Sequence, residues 1–120
     1  MTTGLLKPVG LAATKLALFA TDQEASSLAS YSRVDPSSAA VVTHDLAEPD
    51  LMTILPNGDL AITSKTGVIY RVTPAGGPRE IAHGLGQIRG AAYDPAGKRL
   101  FVIEHGGSAG PSQLHVLAVE

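Results

Sequence analysis

Four side chains that can do acid–base, ion-pairing or metal chemistry are expected to share one face of the molecule: Asp50, Arg89, Glu104 and His105. Asp50 and Arg89 occupy equivalent places 39 residues apart, so together they would grip a polar ligand or, alternatively, bridge two structural units. Glu104 and His105 have the character of an acid–base pair or of metal ligands, the alternative being a solvated hairpin. Asp50 also offers a carboxylate to a divalent cation such as calcium. The sequence therefore predicts a ligand-binding rim made of these four residues.

A second group of titratable residues has the composition of a cation-binding cluster. His44 and Asp45 are adjacent, and Glu48 and Asp50 follow within six residues. However, His83 stands at the place equivalent to His44 in the next unit of the chain. Recurrence at that position favours a structural role, such as a bond to the backbone of a neighbouring unit. His115 lies in an alternating strand and is expected to be half-buried or exposed without a chemical role.

Composition excludes several classes of function. The 120 residues include 9 Lys and Arg against 11 Asp and Glu, and a chain without a basic excess is a poor candidate for binding nucleic acid. The absence of Cys excludes disulfides and thiolate metal sites. The longest apolar run, Leu16–Ala20, is too short to span a membrane, and Lys7, Pro8 and Lys15 interrupt any signal peptide. We therefore expect neither a nucleic-acid nor a membrane partner.

The chain repeats itself about every forty residues. Leu5, Leu46 and Leu85 begin similar segments, at steps of 41 and 39 residues. A second set of similar segments follows each of them in the same order: Leu18–Asp22, Leu60–Ser64 and Leu100–Glu104. Matching segments in a constant order indicate a repeat architecture.

Each repeat is predicted to contain four short strands. In the second repeat these are about Leu51–Leu55, Asp59–Ser64, Gly67–Thr73 and Pro78–His83. The first two are joined by Pro56-Asn57-Gly58, in which Pro presets φ and Gly supplies a positive φ, as hairpin turns require. No stretch has a sustained helical period, and Asp22–Ser30 is predicted to be a loop with at most one helical turn.

Four-stranded antiparallel units at this period are typical of a β-propeller. The predicted fold is all-β: a partial β-propeller of about three four-stranded blades at 4–46, 47–85 and 86–120, the last without its outer strand. Inner strands are expected near Val9–Ala13, Leu51–Leu55 and Gly90–Tyr93, and Met1–Thr3 aligns with the tail of an outermost strand. A β-sandwich and an open β-solenoid are the alternative architectures.

Three blades are expected to be the C-terminal half of a six-bladed ring. The predicted partners are therefore the missing propeller half or a second copy in a homodimer. Residues 1–60 carry 3 basic and 7 acidic groups, and residues 61–120 carry 6 and 4, for net charges of −4 and +2. Opposite charge on the two halves is compatible with a head-to-tail homodimer.

The segments Leu55–Val72, Gly84–Leu85 and Arg89–Val102 resemble the blades of NHL-repeat and senescence-marker-protein (SMP-30)/gluconolactonase propellers. Leu55–Val72 is also similar to blades of pyrroloquinoline-quinone sugar dehydrogenases. The gluconolactonase resemblance implies a divalent metal at the mouth of the pore, with Asn before an inner strand as one ligand. This chain has Val9, Asp50 and Arg89 at those positions; Asp50 would ligate a cation and Arg89 would repel one.

Two functions from different classes follow from these observations. The first is a β-propeller module that presents one face to a protein or to a small-molecule ligand, without catalysis. The second is part of a metal-dependent hydrolase similar to gluconolactonases, and a quinoprotein sugar dehydrogenase is a weaker third alternative.

Overall fold

The computed structural model describes residues 5–35, 37–106 and 110–119, and within these ranges the secondary structure is almost entirely β. A single short 3₁₀ turn, Pro56–Gly58, interrupts the strands of the described residues. None of the described helical residues forms a segment long and apolar enough to cross a membrane. The strands run as follows: β1 Pro8–Ala13, β2 Ala17–Asp22, β3 Ser27–Ser32, β4 Ala39–Thr43, β5 Pro49–Ile54, β6 Leu60–Ser64, β7 Ile69–Thr73, β8 Gly77–Ala82, β9 Gln87–Asp94, β10 Arg99–His105 and β11 Gln113–Ala118.

The strands form three antiparallel sheets, each built from strands consecutive in the chain. Sheet 1 has the order β1-β2-β3-β4, sheet 2 the order β5-β6-β7-β8 and sheet 3 the order β9-β10-β11. The innermost strands of successive sheets are neighbours, β1 beside β5 and β5 beside β9. The predicted fold class is confirmed, including a last sheet with three strands among the described residues. The strand tail predicted at Met1–Thr3 lies outside the described residues.

One element of the prediction is wrong. The segment Asp22–Ser30 is not a loop: β2 continues to Asp22, and β3 begins at Ser27, directly opposite it. The reversal is short because the Asp22 carboxylate accepts a hydrogen bond from the backbone N–H of Ala25 at 3.1 Å, inside the turn. Ser26 completes the turn with a φ of 53°.

Apolar side chains bury the faces between successive sheets. The cluster between sheets 1 and 2 consists of Phe19, Leu28, Leu46, Leu60, Ile62, Tyr70 and Val72. The cluster between sheets 2 and 3 consists of Leu55, Ala61, Ile69, Ile88, Leu100, Val102 and Val119. Alternate residues of β6 enter opposite clusters, so this strand is buried along its whole length, as expected for a sheet that is covered on both faces.

A recurring backbone bond ties each sheet to the next one. The loop after the second strand of a sheet accepts a hydrogen bond from the segment that leads into the following sheet, from Leu46 to Ser26 and from Leu85 to Gly67, both at 3.2 Å. Gly67 has a φ of +85°, and a Cβ there would lie 1.8 Å from the carbonyl oxygen of Leu85. This approach is therefore open only to glycine.

We expect Gly67→Ala to destabilise the protein well beyond the cost of its backbone conformation. Gly77→Ala is the matched control, because Gly77 also has a positive φ, +88°, but a Cβ there would meet nothing within 4 Å. The control should cost about 1–2 kcal/mol for the left-handed conformation. Gly67→Ala should cost a further ~1–3 kcal/mol for the overlap with Leu85. Urea unfolding of both variants measures the difference, and equal losses would show that the contact between the sheets is dispensable.

Candidate functional site

The innermost strand of each sheet is irregular near its N-terminal end, where its pairing with the second strand shifts register. The register of β1 against β2 shifts between Pro8 and Gly10, which leaves Val9 as the extra residue. The register of β5 against β6 shifts between Pro49 and Met52, in the segment that contains Asp50. Such β-bulges redirect a side chain out of the regular alternation of the strand.

The third inner strand has the same irregularity. Ile88 pairs with Glu104 and Gly90 pairs with Ile103, so Arg89 is the extra residue in β9. Three neighbouring inner strands therefore have a β-bulge near the same end. These bulges contain the three positions that repeat in the sequence, Val9, Asp50 and Arg89.

Buried threonines stabilise the first two bulges. Thr21, which is fully buried, accepts a hydrogen bond from the Gly10 N–H at 2.8 Å and donates one to the Asp50 carbonyl oxygen at 2.7 Å. The hydroxyl thus fastens sheet 1 to the backbone of Asp50 in sheet 2. Thr63, at the equivalent position, accepts from the Leu51 N–H at 3.2 Å. In sheet 3 this position is Ile103, which has no hydroxyl to offer.

Asp50 and Arg89 thus lie at matching positions of two adjacent inner strands, with Asp50 half-exposed and Arg89 exposed. Within the described ranges, the ion pairs join Arg71 to Asp59, Arg99 to Asp94 and His115 to Glu104, and none joins Asp50 to Arg89. The described residues therefore show no direct bridge between the two.

Glu104 is engaged with residues other than the predicted His105. Its carboxylate accepts a hydrogen bond from the Gly86 N–H and lies 3.1 Å from Nε2 of His115. The Gly86 N–H, followed by the His115 imidazole, holds the pKa of the Glu104 carboxyl below its usual value. His105 is exposed at the end of β10. The sequence alone does not predict this role for His115. The register of β10 and β11 does reveal it: Glu104 pairs with Gln113 and Val102 pairs with His115, so the side chains of Glu104 and His115 lie on the same face of the sheet.

The position of Glu104 is one of three equivalent positions with a shared structural task. At the end of the second strand of each sheet, a polar side chain holds the segment that enters the first strand of the same sheet. Asp22 accepts from the N–H groups of Leu6 at 2.6 Å and Lys7 at 3.0 Å. The Ser64 hydroxyl holds the corresponding segment by donating a hydrogen bond to the Ala47 carbonyl oxygen. The Glu104 carboxylate holds it by accepting a hydrogen bond from the Gly86 N–H. Support of the loop therefore accounts for the Glu104 carboxylate.

Asp22 is the more deeply buried of the two carboxylates among these groups, with an exposed fraction of 1%. Burial by itself raises the pKa of its carboxyl, but hydrogen bonds from surrounding backbone N–H groups outweigh that effect, and the pKa lies below its usual 3.8. The donors are the N–H groups of Leu6, Ala25, Lys7 and Glu24. The folded protein consequently favours the charged form of Asp22.

The alternative of a cation cluster at His44, Asp45, Glu48 and Asp50 finds no support among the described residues. His44 and Asp45 are exposed, and the described residues contain no group of three or more His, Asp or Glu side chains that could hold a metal ion. His44 and His83 make no side-chain hydrogen bond within the described parts of the chain that would support the structural role expected from their recurrence. A cation at Asp50 would therefore need further ligands from outside this set of residues.

A cavity of about 460 Å³ lies away from the bulged end of the inner strands. It lies at the opposite end of the strands, between the hairpin turns of sheets 1 and 2, and is mostly apolar. Its lining comprises Thr14, Lys15, Leu16, Ala17, Phe19, Ser30, Val42, Asn57, Gly58 and Pro74. A smaller groove of about 260 Å³ adjoins Glu104 and His105.

Comparison with known proteins identifies the fold. No protein-family profile and no curated sequence matches the chain. A chain of the nidogen/laminin complex is similar with a TM-score of 0.77 and 18% identity, over 92% of this chain and 44% of that one. The gluconolactonase XC5397 from Xanthomonas campestris is similar with a TM-score of 0.76 and 20% identity, over 99% and 40%. Virginiamycin B lyase from Staphylococcus aureus has a TM-score of 0.64 and 17% identity, over 92% and 41%.

These neighbours define the class of the protein: the chain has the fold of part of a β-propeller. It spans less than half the length of each of the three neighbours. The resemblance to NHL-repeat and SMP-30/gluconolactonase-like propellers is confirmed at the level of the fold.

We expect Asp22→Asn to lower stability at neutral pH by about 1–3 kcal/mol, because the amide cannot satisfy the backbone donors that the carboxylate accepts. A carboxyl with a depressed pKa stabilises the fold above the unfolded value near 3.8, and this contribution disappears as the pH falls through the folded value. The difference between wild type and variant should therefore shrink on acidification from about pH 7 to about pH 3. Urea unfolding at both pH values measures it, with exposed Asp45→Asn as control. A difference that does not change with pH would contradict this role.

Proposed function

We propose that this chain is the ligand-binding portion of a β-propeller, and that Asp50 and Arg89 hold a small polar ligand at the mouth formed by the inner strands. The observation that supports this proposal is the set of β-bulges at Val9, Asp50 and Arg89. Bulges recur beside binding sites because they redirect a side chain without disturbing the rest of the sheet. Sites of this kind favour loops at the mouth of a rigid scaffold.

The two side chains determine the chemistry of the ligand. The Arg89 guanidinium presents a planar fork of N–H donors that fits a carboxylate or phosphate through two parallel hydrogen bonds. The Asp50 carboxylate accepts hydrogen bonds from hydroxyl or amino groups. The ligand class is therefore a small polyhydroxylated or amino-bearing molecule with one anionic group.

A metal-dependent hydrolase is the second candidate, because one structural neighbour is a gluconolactonase and Asp50 offers one carboxylate at the mouth. Two observations favour the binding role over this alternative. Arg89 places a positive charge at the position equivalent to Asp50 in the next sheet. In addition, the described residues provide no further group of metal ligands around Asp50.

We expect Arg89→Ala to weaken binding of a polyhydroxylated carboxylate about 10- to 100-fold, as loss of a charge-assisted hydrogen bond predicts. Stability should change by less than about 0.5 kcal/mol, because Arg89 is exposed. The measurement is a thermal-shift screen of sugar acids, followed by calorimetric titration of the best binder. Arg79→Ala, an exposed arginine in the outer strand β8, is the matched control. Binding that survives Arg89→Ala, or a screen in which no acid binds, would contradict the proposal.

Calcium separates the two candidates in a related experiment. A ligand that binds only the folded state at a hundredfold excess over its Kd stabilises by about 2.7 kcal/mol. The binding role predicts no stabilisation by CaCl₂ and no change in the calcium response on Asp50→Asn. A calcium-dependent rise in melting temperature that Asp50→Asn abolishes would favour the hydrolase instead.

A further inference from the structure

The face of sheet 1 that points away from sheet 2, called here the sheet 1 end face, is apolar across all four strands. Phe19 points toward sheet 2, so the residues on either side of it in β2 point the other way. The cross-strand pairs on that side form two rows, Leu11, Ala20, Ala29 and Val41, and then Ala13, Leu18, Tyr31 and Ala39. Leu11 is 72% exposed and Val41 is 55% exposed, while Ala20, Ala29 and Tyr31 form a small cluster at the centre.

The face of sheet 3 that points away from sheet 2, called here the sheet 3 end face, is apolar in two of its three rows. The third row holds the Arg99–Asp94 ion pair, and the Arg99 guanidinium lies 5.3 Å from the centroid of the Phe101 ring. Leu100 and Val102 point toward sheet 2, so Phe101 and Ile103 point outward. The two apolar rows are Ala92, Phe101 and Val116, and then Gly90, Ile103 and Leu114. Ile103 and Val116 are each 51% exposed and Leu114 is 62% exposed. Exposed apolar surface of this kind marks an interaction site.

The chain contains two interfaces between successive sheets, one between sheets 1 and 2 and one between sheets 2 and 3. The sheet 1 end face and the sheet 3 end face correspond to the two opposite sides of such an interface. Leu60 and Ile62 of sheet 2 pack on Phe19 and Leu28 of sheet 1. Their equivalents in sheet 1, Leu18 and Ala20, lie on the sheet 1 end face, so that face is the side by which a sheet packs on its predecessor. The equivalent of Phe19 in sheet 3 is Phe101, which lies on the sheet 3 end face, the side that receives the following sheet.

Leu5 supports this assignment. Its equivalents in the repeat are Leu46 and Leu85, and each seals a boundary between two sheets: Leu46 is buried between sheets 1 and 2, and Leu85 packs on the cluster between sheets 2 and 3. Leu5 packs on the sheet 1 end face, against Ala20, Ala29 and Tyr31. The sheet 1 end face therefore has the same sealing leucine as the two interfaces between sheets, as a face that packs on a preceding sheet would.

The two end faces also complement each other in size. Four of the eight residues on the sheet 1 end face are alanines, and a groove of about 210 Å³ runs past Ala29, Ala39 and Val41. The sheet 3 end face presents the large side chains of Phe101, Ile103, Leu114 and Val116 instead.

The dimensions of the chain are those of half a disc. Its principal extents are 44, 32 and 21 Å, and the shortest is about half of the longest. Two copies joined along the long edge would give a disc about 42 Å by 44 Å. The accessible surface of 6742 Å² exceeds the roughly 6,100 Å² expected for a compact monomer of this mass.

We propose that the sheet 1 end face of one copy packs on the sheet 3 end face of a second copy, and that two such contacts close a two-fold ring of six sheets. The contact joins unlike faces, and the ring closes because three sheets cover half of the circle. The ring would place the bulged ends of six inner strands around one mouth, three from each copy. This proposal does not depend on the ligand proposed for Asp50 and Arg89.

Sedimentation equilibrium of the full chain tests the proposal. We expect a mass of about 24.6 kDa, twice the 12.3 kDa of one chain. Leu11→Arg on the sheet 1 end face and Leu114→Glu on the sheet 3 end face should each weaken the dimer about 30-fold or more, since a charge then enters a packed apolar contact. Both residues are exposed in the single chain, so both variants should remain folded by circular dichroism. Leu16→Arg and Val34→Glu, exposed residues outside the end faces, are the matched controls.

A mixture of the two variants distinguishes unlike from like contacts. In a mixed head-to-tail dimer both substitutions fall in one contact, and the other contact has two unaltered faces, so the mixture should recover the dimer that each variant alone has lost. Each of the following results would overturn the proposal: a folded wild-type chain of 12.3 kDa, a wild-type chain that is unfolded or aggregated by itself, a dimer insensitive to Leu11→Arg, or a mixture that stays monomeric.

Discussion

A sheet with apolar side chains on both faces must have a neighbour on each face, and the rest of this structure follows from that constraint. Sheet 2 satisfies it, because its side chains enter the cluster shared with sheet 1 on one side and the cluster shared with sheet 3 on the other. Burial of each large side chain contributes about 1.5–3 kcal/mol, so the stacked order of the sheets depends on these clusters. Sheets 1 and 3 each have one apolar face that no described residue of another sheet covers.

Stacking determines where chemistry can occur. Because the inner strands β1, β5 and β9 lie side by side, their bulges come together at one end of the sheets. The polar groups that repeat there support the structure: Asp22, Ser64 and Glu104 hold the entering segments, and Thr21 fastens one sheet to the next. The three bulge positions differ in chemical character from sheet to sheet, being Val9, Asp50 and Arg89. The candidate site is accordingly the pair at those positions, Asp50 and Arg89, on a scaffold maintained by the repeating residues.

The sequence predicts the architecture well because its signals are local. Leucines at a constant period and turn residues such as Asn57 and Gly58, both with positive φ in the structure, mark the sheets and hairpins before any pairing is known. The site is less predictable because it depends on register. An extra residue at Val9 or Arg89 becomes visible only when the opposing strand is paired, and the contact between Glu104 and His115 depends on the pairing of β10 with β11. The sequence does not reveal the turn after Asp22, because the Asp22 side chain replaces the Gly or Pro that usually marks a tight turn.

Amide hydrogen exchange at two protein concentrations tests most directly whether every sheet face is covered. Strand β6 of sheet 2 is buried within the single chain, whereas β3 of sheet 1 and β10 of sheet 3 each border an end face. The account predicts that β3 and β10 are protected as strongly as β6 in concentrated protein, and that their exchange accelerates on dilution while β6 stays protected. Exchange in β3 and β10 that is fast at every concentration, or equal to that of β6 at every concentration, would contradict it.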